Sequence, residues 1–187
     1  TEVAVLSLGG TVLSESVRVA GDEINDSIAT YLKKVHNLVV GERTAEEIKI
    51  KLGSAFPSNE FDLQSIDVRG LHLLSGLPRS INLKAGDLRE AMSEPLNKIV
   101  DAVKRTLERT PPELAADIVD RGIMLAGGGA LVRGISDLLS HETGIFTHVA
   151  EDPLLCVVNG CGLVLDNFKS MRRVLDTPDF ARNVIRD

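Results

Sequence analysis

Three consecutive glycines, Gly127–Gly129, could bind a ligand through their backbone alone, because they have no side chains. They follow Ile123–Leu125, an apolar run that predicts a buried strand, and precede Ile135–Leu139, whose spacing predicts a helix. Because a glycine costs about 1 kcal/mol relative to alanine in regular structure, three in a row need a reason. At a strand-to-helix junction, exposed N–H groups favour anions or a closely approaching ligand. The glycines alone leave two alternatives open, a ligand-binding turn and a tight turn packed against a neighbour.

A charged pair, Glu46 and Lys49, is the second candidate, because residues three apart lie on the same face of a helix. The spacing by itself indicates a solvated ion pair that contributes about 0.2–0.5 kcal/mol. Thr44 and Glu47 match a capping box and predict that the helix begins at Thr44. Asp22 stands at the start of another predicted helix, where its charge compensates the helix dipole.

Two blocks of structure are predicted to position these residues. Residues 1–25 and 85–187 form an α/β unit that opens with a hairpin turning at Gly9-Gly10. Residues 26–84 form a smaller α+β insertion. The chain starts at Thr1 without Met and directly in a strand pattern, so we expect it to be a piece of a longer protein.

Apolar spacing and helix-breaking residues predict where helices begin and end and which of their faces are buried. Ser93-Glu94-Pro95 predicts that one helix ends and another begins, with proline in its first turn. A helix after Gly21 is predicted to bury one apolar face, formed by Ile24, Ile28, Leu32 and Val35.

Composition excludes several classes of function. A net charge of −6, with no long run of Lys or Arg, excludes a basic nucleic-acid surface, and an aromatic content of 3% disfavours base stacking. The four histidines share no metal-ligand spacing, so no metal site is expected. Cys156 and Cys161 lie in an apolar helical run and are predicted to be buried, reduced side chains.

Several segments together resemble the MreB family of bacterial actin homologues. The resemblance is to the C-terminal half of the family, the subdomains IIA and IIB, and it covers most of the chain in order. By this resemblance, we expect the family's N-terminal half to lie outside this sequence, together with the glycine-rich phosphate loop that would stand immediately before the first residue. The segments that carry the resemblance are Thr1–Val5, Val19–Glu23, Gly41–Lys49, Thr110–Leu114, Ala126–Leu131 and His148–Pro153.

The resemblance implies half of an actin-like (ribonuclease H-like) ATPase fold, in which ATP and Mg²⁺ lie in a cleft between two halves. Thr1 stands beside a phosphate loop and would help to place the attacking water. The resemblance supplies neither a metal ligand nor a catalytic base in this span. This chain alone is therefore expected to bind ATP weakly or not at all. The residues implied to contact the nucleotide are Gly21, Asp22, Glu46, Lys49, Gly127, Gly128, Gly129 and Ala130.

The resemblance also implies a role and partners. Members of this family are cytoskeletal ATPases whose subunits stack head to tail, IIB against IIA, in filaments beneath the cytoplasmic membrane of rod-shaped bacteria. The filaments guide cell-wall synthesis, a RodZ-like membrane protein docks on IIA, and N-terminal elements attach the filament to the membrane. No nucleic-acid partner is implied. The alternatives are a sugar kinase or a DnaK-type chaperone of the same superfold, or an interaction module whose glycines only turn the chain.

Overall fold

The computed structural model describes residues 1–169 and 171. The rest of the predicted α/β block lies outside the described residues. Strands and helices follow one another in the order β1 (Glu2–Ser7), β2 (Gly10–Ser16), α1 (Gly21–His36), β3 (Leu38–Val39), α2 (Glu42–Leu52), β4 (Ser65–His72), β5 (Pro78–Lys84), α3 (Ala85–Glu108), α4 (Pro112–Arg121), β6 (Ile123–Leu125), α5 (Ile135–Thr143), β7 (Thr147–Val149) and α6 (Cys156–Asp166).

The strands pair in three small sheets. β1 and β2 form the predicted antiparallel hairpin, whose turn places Leu8 and Gly9 at φ values of 51° and 76°. Two successive positive φ values match the right-handed twist of the strands. The predicted hairpin is confirmed, but its turn lies one residue earlier than predicted, because Gly10 already belongs to β2. β3, β4 and β5 form an antiparallel sheet, and β6 pairs in parallel with β7.

One hydrophobic core joins α1, α2 and α3. The predicted face of α1 is confirmed at Ile24, Ile28 and Leu32, each at most 2% exposed. The prediction for Val35 is wrong, because its side chain is 56% exposed. Val35 lines a surface groove between α1 and α3, where the two helices no longer cover each other. The division at residues 25 and 84 stays a prediction, and α1 runs across the first of these positions.

α3 is one continuous helix, so the predicted break at Ser93–Pro95 is wrong. Pro95 has no N–H for the carbonyl of Ala91, which costs about 3 kcal/mol in a helix interior. Pro95 is buried, however, and buried apolar residues continue on both sides of it. Burying each large side chain stabilises by about 1.5–3 kcal/mol, so continuous packing outweighs the lost hydrogen bond. The buried apolar side chains that flank Pro95 are Leu88, Met92, Leu96, Val100 and Val103.

α2 begins earlier than the capping box predicted. Gly41 is its N-cap residue in extended conformation, and Thr44 already lies inside the helix. Glu47 instead forms ion pairs with Arg43 and Lys51, each at 3.5 Å. The capping-box prediction is wrong because the N-cap residue is Gly41, and glycine tolerates this position without a side chain that accepts a hydrogen bond.

α6 is apolar in sequence yet buries no residue among those described. Val157 and Leu165 are each 72% exposed, and Cys161 is exposed too. Cys156 is half-buried, and its thiol donates to the carbonyl of Asp152 at 3.3 Å. The prediction of buried cysteines is therefore wrong, since nothing in the described structure covers this helix. Among the described residues, no helix combines the length and the apolar character needed to cross a membrane.

Candidate functional site

The start of α1 and the last turn of α2 meet through a lysine. Lys49 Nζ donates to the carbonyl of Gly21 at 3.1 Å. A Cβ at Gly21 would stand 3.2 Å from the same nitrogen, so a side chain there would require the ammonium group to shift by a few tenths of an ångström. The exposed Asp22 follows directly at the beginning of α1. The structure thus brings predicted site residues from two different helices into contact.

Glu46 lies one helical turn before Lys49 and is exposed to solvent. Within the part of the chain that the structure describes, Glu46 forms no hydrogen bond or ion pair. The solvated Glu46–Lys49 ion pair that spacing alone indicates is therefore not formed, because Lys49 binds backbone instead. This arrangement leaves a free carboxylate beside a positioned ammonium group.

Glu23 caps α1 beside this contact. The backbone N–H of Ala20 donates to Glu23 Oε2 at 2.8 Å, and this bond holds the pKa of the carboxyl below its usual range. Because the pKa is lowered in the folded state, the cap stabilises α1 at neutral pH and is lost as the pH falls through that lowered value.

The glycine turn is open to solvent rather than packed. Gly127 has φ +85°, which favours glycine, and its N–H donates to the carbonyl of Pro153 at 2.7 Å. A Cβ at Gly127 or Gly129 would meet no atom within 4 Å, and one at Gly128 would only touch Leu154 at 3.4 Å. Close packing therefore does not explain the three glycines. Ala130, which follows the three glycines, is buried.

The loop that follows the turn is bound to the end of α2. The backbone N–H of Ala55 donates to the carbonyl of Arg133 at 2.7 Å. The Arg133 guanidinium lies over the buried ring of Phe61, 3.6 Å from its centroid. Gly134 approaches Phe56 so closely that a Cβ would stand 2.9 Å from Phe56 Cβ. The glycine turn and α2, which carry most of the predicted site residues, are thereby held next to each other.

Replacing Gly134 by alanine is expected to lower the free energy of unfolding by about 2–5 kcal/mol. The residue has φ +73°, which costs about 1–2 kcal/mol with a Cβ, and the clash with Phe56 adds about 1–3 kcal/mol of overpacking. Urea denaturation followed by circular dichroism measures the change. The matched control is Gly86→Ala at the start of α3, where the nearest atom is 3.8 Å away. Equal stability of the two variants would contradict the argument.

Thr1 fixes the beginning of the hairpin next to the start of α1. Its Oγ1 donates to the carbonyl of Val19 at 2.5 Å, and its amino group donates to the carbonyl of Val17 at 2.8 Å. Val19 stands two residues before Gly21. The structure thus places Thr1 near the Gly21–Lys49 contact, and its catalytic role stays a prediction.

Except for the buried Ala130, the predicted site residues are exposed or half-buried. Two shallow cavities of about 330 and 480 Å³ lie along α1, share Asp26 and Thr30, and include no predicted site residue. The described residues contain no group of three His, Cys, Asp or Glu side chains that could hold a metal ion.

Solved structures with this fold identify the class of protein. MreB 5 of Spiroplasma citri bound to AMPPNP matches with a TM-score of 0.85 and 34% sequence identity, covering 90% of this chain and 50% of that chain. The MamK double helical filament shares the fold alone, with a TM-score of 0.59 and 17% identity over 75% of this chain and 42% of that one. The chain has half of the actin-like fold and is a bacterial actin-like protein.

Sequence comparison defines the family. The family described as MreB/Mbl protein matches residues 1–173, and the chain belongs to this family. It is 45% identical over 171 residues to the cell shape-determining protein Mbl of Bacillus subtilis, covering 91% of this chain and 51% of Mbl. It is 49% identical over 166 residues to the cell shape-determining protein MreB of Escherichia coli, covering 89% of this chain and 47% of MreB. The chain spans about half the length of the curated relatives it matches.

Arg133 and the segment 53–56 are the parts of this surface that sequence reasoning missed. They join the two groups of predicted residues but belong to no motif and no periodic pattern. The signal available in the sequence was Gly134, a glycine between two apolar runs that marks a close backbone approach.

Proposed function

We propose that the chain is the IIA–IIB half of a cytoskeletal ATPase whose filaments control rod cell shape and guide cell-wall synthesis. The observation that carries this proposal is an exposed glycine turn fixed beside a helix with a positioned lysine. It is supported by relatives named cell shape-determining proteins and by MreB5 structures bound to AMPPNP and to ADP. Sugar kinase and DnaK-type alternatives have no comparable support.

The nucleotide is ATP with Mg²⁺, and the open turn fits it because bare backbone leaves room for a flat base and ribose. Gly127, Gly128 and Gly129 line the nucleoside, with the backbone of Ala130 at the edge. Glu46 and Lys49 form the second wall, and Lys49 is already held in place by the carbonyl of Gly21. Asp22 completes the edge nearest α1.

When bound, ATP would supply the γ-phosphoryl group that is transferred to water, and this hydrolysis would change filament stability. The role of residues 1–187 is to bind and orient the nucleoside end. Thr1 lies near the start of α1 and is the residue proposed to help position the attacking water. We assign no Mg²⁺ ligand and no catalytic base to this chain. Its residues contribute by positioning and electrostatics, on which phosphoryl transfer mainly depends.

The principal partner is a second copy of the protein, arranged head to tail with the IIB-like insertion of one subunit against the IIA-like unit of the next. The tip of the β4–β5 hairpin supports this arrangement, because its leucines are exposed although they are large and apolar. A RodZ-like membrane protein binds the IIA-like unit, and the family's N-terminal half provides peripheral attachment beneath the inner membrane. The filament is cytoplasmic.

The exposed leucines of the β4–β5 hairpin, which support the contact between subunits, are Leu71, Leu73, Leu74 and Leu77.

Sedimentation of the full-length gene product tests the proposal. In ATP and Mg²⁺ we expect the protein to pellet at high speed, and without nucleotide we expect most of it to stay in the supernatant. A parallel assay measures transfer of the γ-phosphate to a panel of sugars, and none is expected. Phosphotransfer without pelleting would replace the filament by a kinase.

A further inference from the structure

We infer that Arg133 is a positioning residue that holds the glycine turn and α2 at a fixed separation, so that both contact the same nucleotide. The inference rests on the proposed nucleotide-binding function and adds a residue that no motif identifies. Arg133 belongs to the loop between the turn and α5, and it need not touch the ligand to act.

Backbone contacts connect Arg133 to both elements. On one side, Val132 N–H donates to the carbonyl of Gly129 at 3.1 Å, so the residue before Arg133 closes the glycine turn. On the other side, the carbonyl of Arg133 accepts from Ala55 at 2.7 Å, and Ser54 pairs with Arg133 in a short parallel bridge. Lys49 lies in the last turn of the helix that leads directly to these residues.

The side chain of Arg133 adds a third attachment. Its guanidinium covers the ring of Phe61, which is only 5% exposed. The neighbouring Asp62 is in turn bound to Arg89 of α3, with Asp62 Oδ2 at 2.6 Å from Arg89 Nη2. The loop that supports Arg133 is therefore anchored on the longest helix of the core. This arrangement resists a shift of the turn relative to α2.

Nucleotide affinity and local hydrogen exchange test the inference in the full-length gene product. Arg133→Ala removes the stacked side chain but keeps every backbone bond. We expect about 2- to 5-fold weaker binding of a fluorescent ATP analogue, the size of a cation–π contact at an exposed site. Without nucleotide, the amides of Val132 and Ala55 should exchange faster than in the wild type. Arg133→Lys should recover part of the affinity, because it keeps the charge but not the planar stacking.

Two further variants separate positioning from general stability. Phe61→Leu removes the aromatic partner, and its effect on affinity should not add to that of Arg133→Ala if both act through one contact. Arg121→Ala, at an exposed arginine of α4, is the matched control and should bind like the wild type. Wild-type affinity in Arg133→Ala, or wild-type exchange at Ala55, would overturn the inference. Failure of the wild type itself to bind nucleotide would instead overturn the proposed function.

Discussion

Replacing Gly129 by valine is expected to weaken nucleotide binding by about 10- to 100-fold without unfolding the protein. A Cβ at this position would meet no protein atom within 4 Å, and Gly129 is not among the glycines with positive φ. The branched side chain would therefore occupy only the space that we assign to the nucleoside. Forcing ligand and side chain to share that space costs about 1.4–2.8 kcal/mol, within the usual range for overpacking, which corresponds to this loss of affinity.

Titration of a fluorescent ATP analogue into the full-length gene product measures the effect, and thermal unfolding without nucleotide checks the fold. Gly86→Val is the matched control, since it adds the same side chain at an uncrowded glycine in the first turn of α3. Gly127 is less suitable because any side chain at its positive φ would strain the backbone. If Gly129→Val binds nucleotide like the control, the turn does not line the ligand.

Replacing Leu74 by glutamate is expected to abolish sedimentation in ATP and Mg²⁺ at protein concentrations where the wild type pellets. Leu74 is 77% exposed at the tip of the β4–β5 hairpin, so the substitution removes no core contact. Residues 68–86, which include the hairpin tip, contain no acidic side chain. The tip is therefore free of negative charge, although the whole chain has a net charge of −6. Burying an unpaired carboxylate at such a contact removes about 2 kcal/mol or more of association free energy, and the polymerisation threshold should rise about 30-fold.

Leu63→Glu provides the control for this experiment. Leu63 is 83% exposed in the same predicted insertion but lies outside the hairpin. It should pellet like the wild type, and both variants should unfold at the same temperature. Normal sedimentation of Leu74→Glu would show that the hairpin tip lies outside the contact between subunits.

Local patterns predicted most elements because local interactions form them. The first hairpin was recovered from its turn residues, and most of the buried face of α1 from apolar spacing. The predictions failed where tertiary packing overrides a local signal. Pro95 is a helix breaker on its own, but the buried stripe of α3 continues through it. Val35 continues the spacing of α1, but the structure provides no neighbour to cover it.

The candidate site was predicted from sequence in its parts but not in its arrangement. Lys49 and the three glycines could be identified from residue types and from resemblance, since they lie in recognisable segments. The hydrogen bond from Lys49 to Gly21 links residues 28 positions apart. The contact between Arg133 and Phe61 joins two loops with no regular pattern. Contacts of this kind depend on how helices pack, and a single sequence carries no signal for them.

Helix α6, which no described residue covers, has a thermodynamic consequence for any preparation of residues 1–187. Val157, Val158, Leu163 and Leu165 each have at least 60% of their surface in water. Sequestering one such side chain is worth about 1.5–3 kcal/mol, so a surface that covers several of them could contribute as much as the entire net stability of an ordinary domain. Melting temperatures recorded on the separate polypeptide will therefore understate its robustness in any assembly that shields this helix, and its solubility should improve when that surface is shielded.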